Sequence, residues 1–397
     1  MSQDAHAPTL PLADLRVLEF TQNVMGPSGG LVLADLGADV VKIEPAQGDV
    51  TRGLGGFASG FFSYFNRNKR SLAVDLKTDA GRALAHRLVA TADVVLENYA
   101  PGTMDRLGCG YAVLSAVNPR LVYCTMKGYL SGPYEKRAAL DEVTQFQSGL
   151  AYMTGPRGRP LRAGASVVDI MGGTFAAVAI LAALRERDAT GKGQLVKSAL
   201  YESAVYLMGT HMAGGAYNRA SHVLPMPERD AGWGIYQVFK SADNQDIFVA
   251  ATSDALWLRF CDVFERPDLA ADARLKRNGD RVKAKEWLIL TVSETLGKLT
   301  RAEIERRCES VGIAFAPVGT VEDLFVDPHL NAGGLVDTTL SNGVETKLPK
   351  LPIELDARRP GKRLDPPQIG AHSRAILAEA GFGAAEIDAL MRDGVVV

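Results

Sequence analysis

Apolar and polar positions along the chain change period repeatedly, and each change marks a new element. LRVLEF (15–20) is a short, mostly apolar run that predicts a buried strand. GPSGGLVLADLG (26–37) then takes helical spacing after a Pro-Gly start, and ADVVKIE (38–44) returns to strand, completing a parallel βαβ unit. The alternation continues through strand RSLAVDL (70–76), helix DAGRALAHRLVATA (79–92) and strand DVVLENY (93–99). A short helix after PGTMDRLG and strand RLVYCTMKGY (120–129) follow. This order predicts a parallel sheet with helices on both faces.

The segment IMGGTFAAVAILAALRERDATGKG (170–193) is rich in small apolar residues and predicts a helix buried on most sides. A strand and a further helix are expected over 194–218. RASHVLPMPERDAGWG (219–234) gathers Pro, Gly and charge and reads as a linker or functional loop. From 235 to 315, strands IYQVF and DIFVAA, helix DALWLRFCDVF and charged helices near 280–311 describe a smaller α+β unit. FAPVGTVEDLFVDPHL (315–330) leads back to short strands, and IGAHSRAILAEAGFGAAEIDALM carries two short helices. The expected division is a large domain over 1–218, a linker over 219–234, a small domain over 235–315, and a linker with C-terminal segment over 316–397 that returns to the large domain.

Composition narrows the classes. The 397 residues are 47% hydrophobic and 23% charged, as in ordinary globular proteins, and the net charge of −2 gives no electrostatic reason to expect nucleic acid. Cys109, Cys124, Cys261 and Cys308 are far apart, without a CxxC pair or His/Cys cluster, so neither a disulfide framework nor a metal site is expected. The first twenty residues lack a basic stretch followed by an apolar one, and no run of about 18 apolar residues is evident. The expectation is a cytoplasmic protein with no membrane partner.

Several segments have candidate chemistry. The first βαβ unit, with glycines at 26, 29 and 30 and Glu44 ending the second strand, has the outline of a dinucleotide site, but GPSGG is not G-x-G-x-x-G. GKGQ (191–194) lacks the residues of a P-loop and reads as a helix-ending turn. FNRNKRSLAVDLK (65–77) concentrates Arg67, Lys69, Arg70 and Lys77, either as a solvated loop or as a seat for phosphates. In GASVVDIMGG (164–173), Asp169 precedes a long apolar stretch. It is either a helix cap or a nucleophile, kept ionised by the helix N-terminus and reachable past Gly172 and Gly173. Six scattered histidines pair with no Ser or Cys in a nucleophile elbow; His211 and His222 flank the expected linker.

Taken together, LRVLEFTQNVMGP, LADLGADVVKIEPAQGD, FNRNKRSLAVDLK, ADVVLENYAPGTMDRLG, GASVVDIMGG, TGKGQLVKSAL, FAPVGTVEDLFVDPHL and IGAHSRAIL resemble the family III (CaiB/BaiF-type) CoA-transferases. That group includes formyl-CoA:oxalate, carnitine and succinyl-CoA:dicarboxylate CoA-transferases. The stretches span nearly the whole chain in order. The resemblance implies an α/β fold with a large Rossmann-like parallel-sheet domain and a smaller α+β domain, assembled as an interlocked homodimer. The active site would lie between the large domain of one subunit and the small domain of the other.

The same resemblance implies that Asp169 is the nucleophile, taking the acyl group and then CoA as covalent aspartyl intermediates, with acyl-CoA as substrate and no prosthetic group. It assigns the CoA seat to Val24, Met25, Val74, Asp75, Leu76, Lys77, Asn98, Tyr99, Ala100 and Arg106, and an active-site acid to Glu142. Pro45 stands where formyl-CoA transferase has a CoA-binding Arg. Related α-methylacyl-CoA racemases have a His-Asp pair where this chain has Leu140 and Asp141, which disfavours two-base proton exchange. The long glycine-rich loop of formyl-CoA transferase has no counterpart in MPERDAGWGIYQVF, so the expected acceptor is a C4–C6 dicarboxylate rather than oxalate. Arg162 is a candidate contact for an anionic acceptor or a structural residue. A racemase and a non-catalytic CoA-binding module are the alternatives.

Overall fold

The computed structural model describes residues 10–229 and 232–397. Residues 1–9, on which part of the reading of the N-terminus rests, and Asp230 and Ala231 of the expected linker lie outside them. The chain divides into two compact units. One runs through Pro227 and resumes over Pro328–Val397, and the other is Glu228–Asp327.

The larger unit opens with β1 (Arg16–Phe20), α1 (Met25–Asp35) and β2 (Asp39–Glu44). Then come α2 (Phe61–Phe65), β3 (Lys69–Ala73), α3 (Asp79–Val89) and β4 (Val94–Glu97). After α4 (Thr103–Arg106), α5 (Tyr111–Val117) and β5 (Val122–Lys127), the chain forms α6 (Asp141–Gln147), α7 (Leu150–Thr154), α8 (Val167–Thr190), β6 (Leu195–Ala199) and α9 (Leu200–Tyr217). The six strands form one sheet in the order β3-β2-β1-β4-β5-β6, with every pair parallel. This is the doubly wound order, in which the direction of winding reverses between β1 and β4.

The apolar runs of β1, β2, β4 and β5 are buried on both faces. Leu18, Val41, Val95 and Tyr123 face a core completed by Leu84 and Leu88 of α3. Val17, Val40, Val94 and Val122 face another completed by Leu33 of α1 and by Val168, Ala176 and Ile180 of α8. α8 is long and apolar enough, at a mean hydropathy of 2.1, to cross a membrane. That corrects the reading that no such run exists. Its apolar residues pack into the second core, and it lies close against α1.

Glycines permit that approach. A Cβ on Gly173 would lie 2.6 Å from the Met25 carbonyl and 2.7 Å from the Gly29 amide nitrogen, and one on Gly172 would lie 2.6 Å from Met25 Cε. These two glycines therefore serve helix packing against α1 rather than opening space for a substrate beside Asp169.

In the smaller unit, β7 (Ile235–Lys240), β8 (Asp246–Ala251) and β9 (Ala314–Pro317) form an antiparallel sheet. Between β8 and β9 lie α10 (Asp254–Val263), α11 (Pro267–Ala271), α12 (Asn278–Lys283), α13 (Lys285–Leu296) and α14 (Arg301–Ser310); α15 (Asp323–Val326) follows. The unit has its own core, in which Trp257 and Phe260 stack 5.8 Å apart beside Leu288, Val292 and Ile304. Back in the larger unit, α16 (Pro328–Asn331), the hairpin β10 (Leu335–Thr339) and β11 (Glu345–Pro349), α17 (Ser373–Glu379) and α18 (Ala384–Arg392) complete the chain. The terminal residues lie along β3: Asp75 donates to the Val395 carbonyl (2.9 Å), and Val397 donates to that of Ala73 (3.1 Å).

Candidate active site

Parallel sheets of this order offer a crevice at the carboxyl ends of their strands, where the winding reverses. Here the loops after β1 and β4 are joined by one side chain. The Gln22 amide donates to Asn98 Oδ1 (2.8 Å), and Asn98 Nδ2 donates to the Gln22 carbonyl (2.7 Å). Gly26 fits under this clamp, since a Cβ there would lie 2.5 Å from Thr21 Cβ and 2.9 Å from Asn98 Cγ. Beside the clamp lies a cavity of about 240 Å³, with Met25, Asn98, Tyr99, Lys127, Asp141 and Asp169 among its lining residues.

Asp169 is the third residue of α8, not the residue before it. Its helix is capped from elsewhere. Asp141, the first residue of α6, accepts from the amides of Val168 (2.9 Å) and Asp169 (3.1 Å) through Oδ2, while Gln145 Nε2 donates to its other oxygen (2.5 Å). The expected capping role thus belongs to Asp141, and the Asp169 carboxylate is left facing the cavity. Burial pushes the Asp169 carboxyl up to about 7. The Asp141 charge adds to the rise, and Arg162 opposes it. Desolvation and a like charge thus raise this carboxyl against the helix N-terminus, which by itself favours the ionised form.

Arg162 braces the same corner. It donates to Glu142 Oε1 (2.8 Å) and to the carbonyls of Ala163 (3.0 Å) and Ala165 (3.1 Å), and its charge stands 3.7 Å from Asp141. Glu142 is exposed and is held by Arg162; the acid that lines the cavity is its neighbour Asp141. Leu140, also on the lining, presents no titratable group.

The positions assigned to the CoA seat separate into two groups. Met25, Asn98, Tyr99 and Ala100 line the cavity with Asp169. Val24 packs with Leu31 and Phe65, and the side chains of Val74 and Leu76 belong to the core over β3, so any ligand contact from these three falls to the backbone. Asp75 Oδ1 accepts from the Lys77 amide (2.9 Å), turning the chain so that Lys77 is exposed. Arg106, also exposed, donates to Thr103 Oγ1 (2.8 Å). A neighbouring cavity of about 210 Å³ shares Ala100, Pro101 and Lys127 with the first and reaches Asp105. His211 and His222 line neither cavity.

Three of the four cations in the basic cluster fit neither of its two sequence readings. Arg67 is buried against Asp35 (2.6 Å), Lys69 is buried against Glu19 (2.8 Å), and Arg70 pairs with Asp39 and Glu379. Lys42 joins the same interior, 2.8 Å from Asp49. Only Lys77 of the four is exposed. Sequence reasoning also gave no role to Lys127, which holds Glu97 (2.6 Å) and the Tyr99 carbonyl (2.6 Å), or to Arg137, which lines the Asp169 cavity. The turn within SGPYEKR (131–137) is the one local sign of the latter.

Comparison with known proteins places the chain in a family. The family model for CoA-transferase family III matches residues 12–373. Succinate–glutarate CoA-transferase of Agrobacterium fabrum is 33% identical, over 93% of this chain and 95% of that protein. Succinyl-CoA:mesaconate CoA-transferase of Haloarcula hispanica is also 33% identical, over 94% and 97%. A crystal structure of a CaiB/BaiF family protein from Brucella suis superimposes with a TM-score of 0.82 at 32% identity, covering 94% of this chain and all of that one.

Proposed function

The chain belongs to CoA-transferase family III, and from that premise we propose that it moves CoA from succinyl-CoA, or a similar acyl-CoA, to a small dicarboxylate through covalent intermediates on Asp169. The observation that carries the reading is the uncommitted Asp169 carboxylate in a cavity at the winding reversal, with its own helix capped by a different acid.

The chemistry needs no net proton transfer. An Asp169 oxygen attacks the donor's thioester carbonyl, the C–S bond breaks, and CoA leaves as thiolate from a mixed anhydride. The thiolate attacks the Asp169 carbonyl carbon and expels the donor's carboxylate, leaving an aspartyl-CoA thioester. The acceptor carboxylate then attacks that thioester, and the released thiolate attacks the acceptor's acyl carbon in the new anhydride. Product acyl-CoA departs and the Asp169 carboxylate is restored. Dividing the exchange into such steps lowers each barrier. A carboxyl whose ordinary value is raised to about 7 is more basic than a solvated one, yet still substantially ionised near neutrality.

Met25, Asn98, Tyr99 and Ala100 form the thioester end of the proposed CoA seat. Lys77 and Arg106, exposed cations on neighbouring strand-end loops, suit its phosphates. The proposal includes an interlocked homodimer, supported by large apolar side chains left exposed on α9, where Tyr206 and Tyr217 are 70% and 89% accessible. It includes a cytoplasmic setting, which suits four free, buried cysteines. A racemase reading has less support, because Leu140 offers no base and the Asp141 oxygens are engaged by backbone amides and Gln145.

Asp169→Ala is expected to abolish exchange, with at least about a thousandfold loss of kcat, while circular dichroism stays that of the folded protein. Hydroxylamine added during incubation with succinyl-CoA should leave a hydroxamate on Asp169 in the peptide mass spectrum. Wild-type turnover in the alanine variant, or an unmodified Asp169 peptide, refutes the mechanism.

A further inference from the structure

Four charged side chains line the Asp169 cavity: Lys127, Arg137, Asp141 and Asp169. Three of them already have work. Lys127 is bound to both oxygens of Glu97 (2.7 and 2.6 Å), Asp141 caps α8, and Asp169 is the proposed nucleophile. Arg137 is different. Its guanidinium lies over the Tyr134 ring, 3.7 Å from the centroid, and pairs with no carboxylate among the described residues.

The platform beneath it is built into the fold. The Arg137 amide donates to the Tyr134 carbonyl (2.8 Å), closing the turn between β5 and α6. Tyr134 meets Tyr129 edge-on at 5.7 Å. Tyr129 is buried and donates through its hydroxyl to Gln147 on α6 (2.5 Å). Stacking occupies the face of a guanidinium and leaves the N–H groups in its plane free, the geometry that accepts a carboxylate through two parallel hydrogen bonds. A second carboxylate entering beside Asp141 and Asp169 would otherwise meet like charge.

We propose that Arg137 binds the far carboxylate of a dicarboxylic acid whose near carboxylate reacts at Asp169, and so sets the preference for diacids over monoacids. The inference rests on the transferase reading above. The phosphates of CoA are the other anionic groups that a cation here could meet, so the test separates the two sources.

Initial rates with succinyl-CoA as donor are measured for glutarate and for pentanoate, an acid of equal length with one carboxylate, on wild type, Arg137→Met and Arg137→Lys. Binding of free CoA is measured by calorimetry on the same three proteins. The wild type should favour glutarate. Arg137→Met should cut the glutarate-to-pentanoate ratio of kcat/KM by at least about tenfold, chiefly through the KM for glutarate. Arg137→Lys should keep part of the ratio, and the affinity for free CoA should be unchanged in both variants. Equal losses for the two acids, a wild type that prefers pentanoate, or weakened CoA binding with an intact ratio each overturn the assignment; the last gives Arg137 to a phosphate instead. A wild type that transfers CoA to neither acid overturns the transferase reading itself.

Discussion

On the proposed mechanism, Asp169 and Asp141 divide between them two tasks, nucleophile and helix cap, that the sequence offers to one residue. A carboxyl held at about 7 is mostly protonated below that pH and cannot attack a thioester, so the rate should fall on acidification with a midpoint near 7. Asp141→Asn keeps an oxygen for the amides of Val168 and Asp169 but removes the neighbouring charge. The opposing Arg162 charge remains, so the Asp169 carboxyl moves toward its ordinary value. The acid limb of the pH–rate profile should then shift to lower pH. A limb that stays in place would show that burial alone governs Asp169. None of this division was legible locally. The acid before an apolar run was visible in VVDIMGG, but the residue that caps the helix lies 28 positions earlier, in ALDEV, where its first-turn position resembles any other helix start.

At the scale of elements, the site depends on how closely α1 and α8 approach. Gly173→Ala would place a methyl group against Ser28, the Met25 carbonyl and the Gly29 amide, two of which are backbone and cannot turn aside. The helices must separate, at a cost of about 1–3 kcal/mol, read as a lowered urea midpoint with an unchanged m-value. Activity should fall further than stability alone accounts for, because Asp169 moves with its helix. The strands, α3 and both C-terminal helices were legible because their periodicity is local. The start of α8 was read three residues late, since Ser166 makes no side-chain cap for the periodicity to begin from. Three cations of the basic cluster escape a local reading for a related reason. The partners of Arg67, Lys69 and Arg70 in Asp35, Glu19 and Asp39 lie 31 to 50 residues earlier and meet them only once the sheet has formed.

For the whole molecule, both passages between the two units fall beside a proline, after Pro227 and before Pro328. The smaller unit is one uninterrupted stretch with its own apolar core, so a fragment of 228–327 should unfold cooperatively on heating and give a dispersed amide spectrum. A fragment without a thermal transition would show that the core needs support from the rest of the protein. The larger unit assembles its site from distant pieces. Residues 76 positions apart make the Asn98 clamp, which explains why the fold class could be read from the sequence while the cavity's working side chains could not. The contact between Gly29 and Gly173 also bears on how such an enzyme can change over generations. With backbone set against backbone there, the anchor of the proposed nucleophile has almost no tolerated alternatives. The turn bearing Arg137 lies at the surface and touches the interior through the Tyr134–Tyr129 contact. If Arg137 selects the acid as proposed, new acids would be recruited by rewriting that turn while the reaction itself is inherited unaltered.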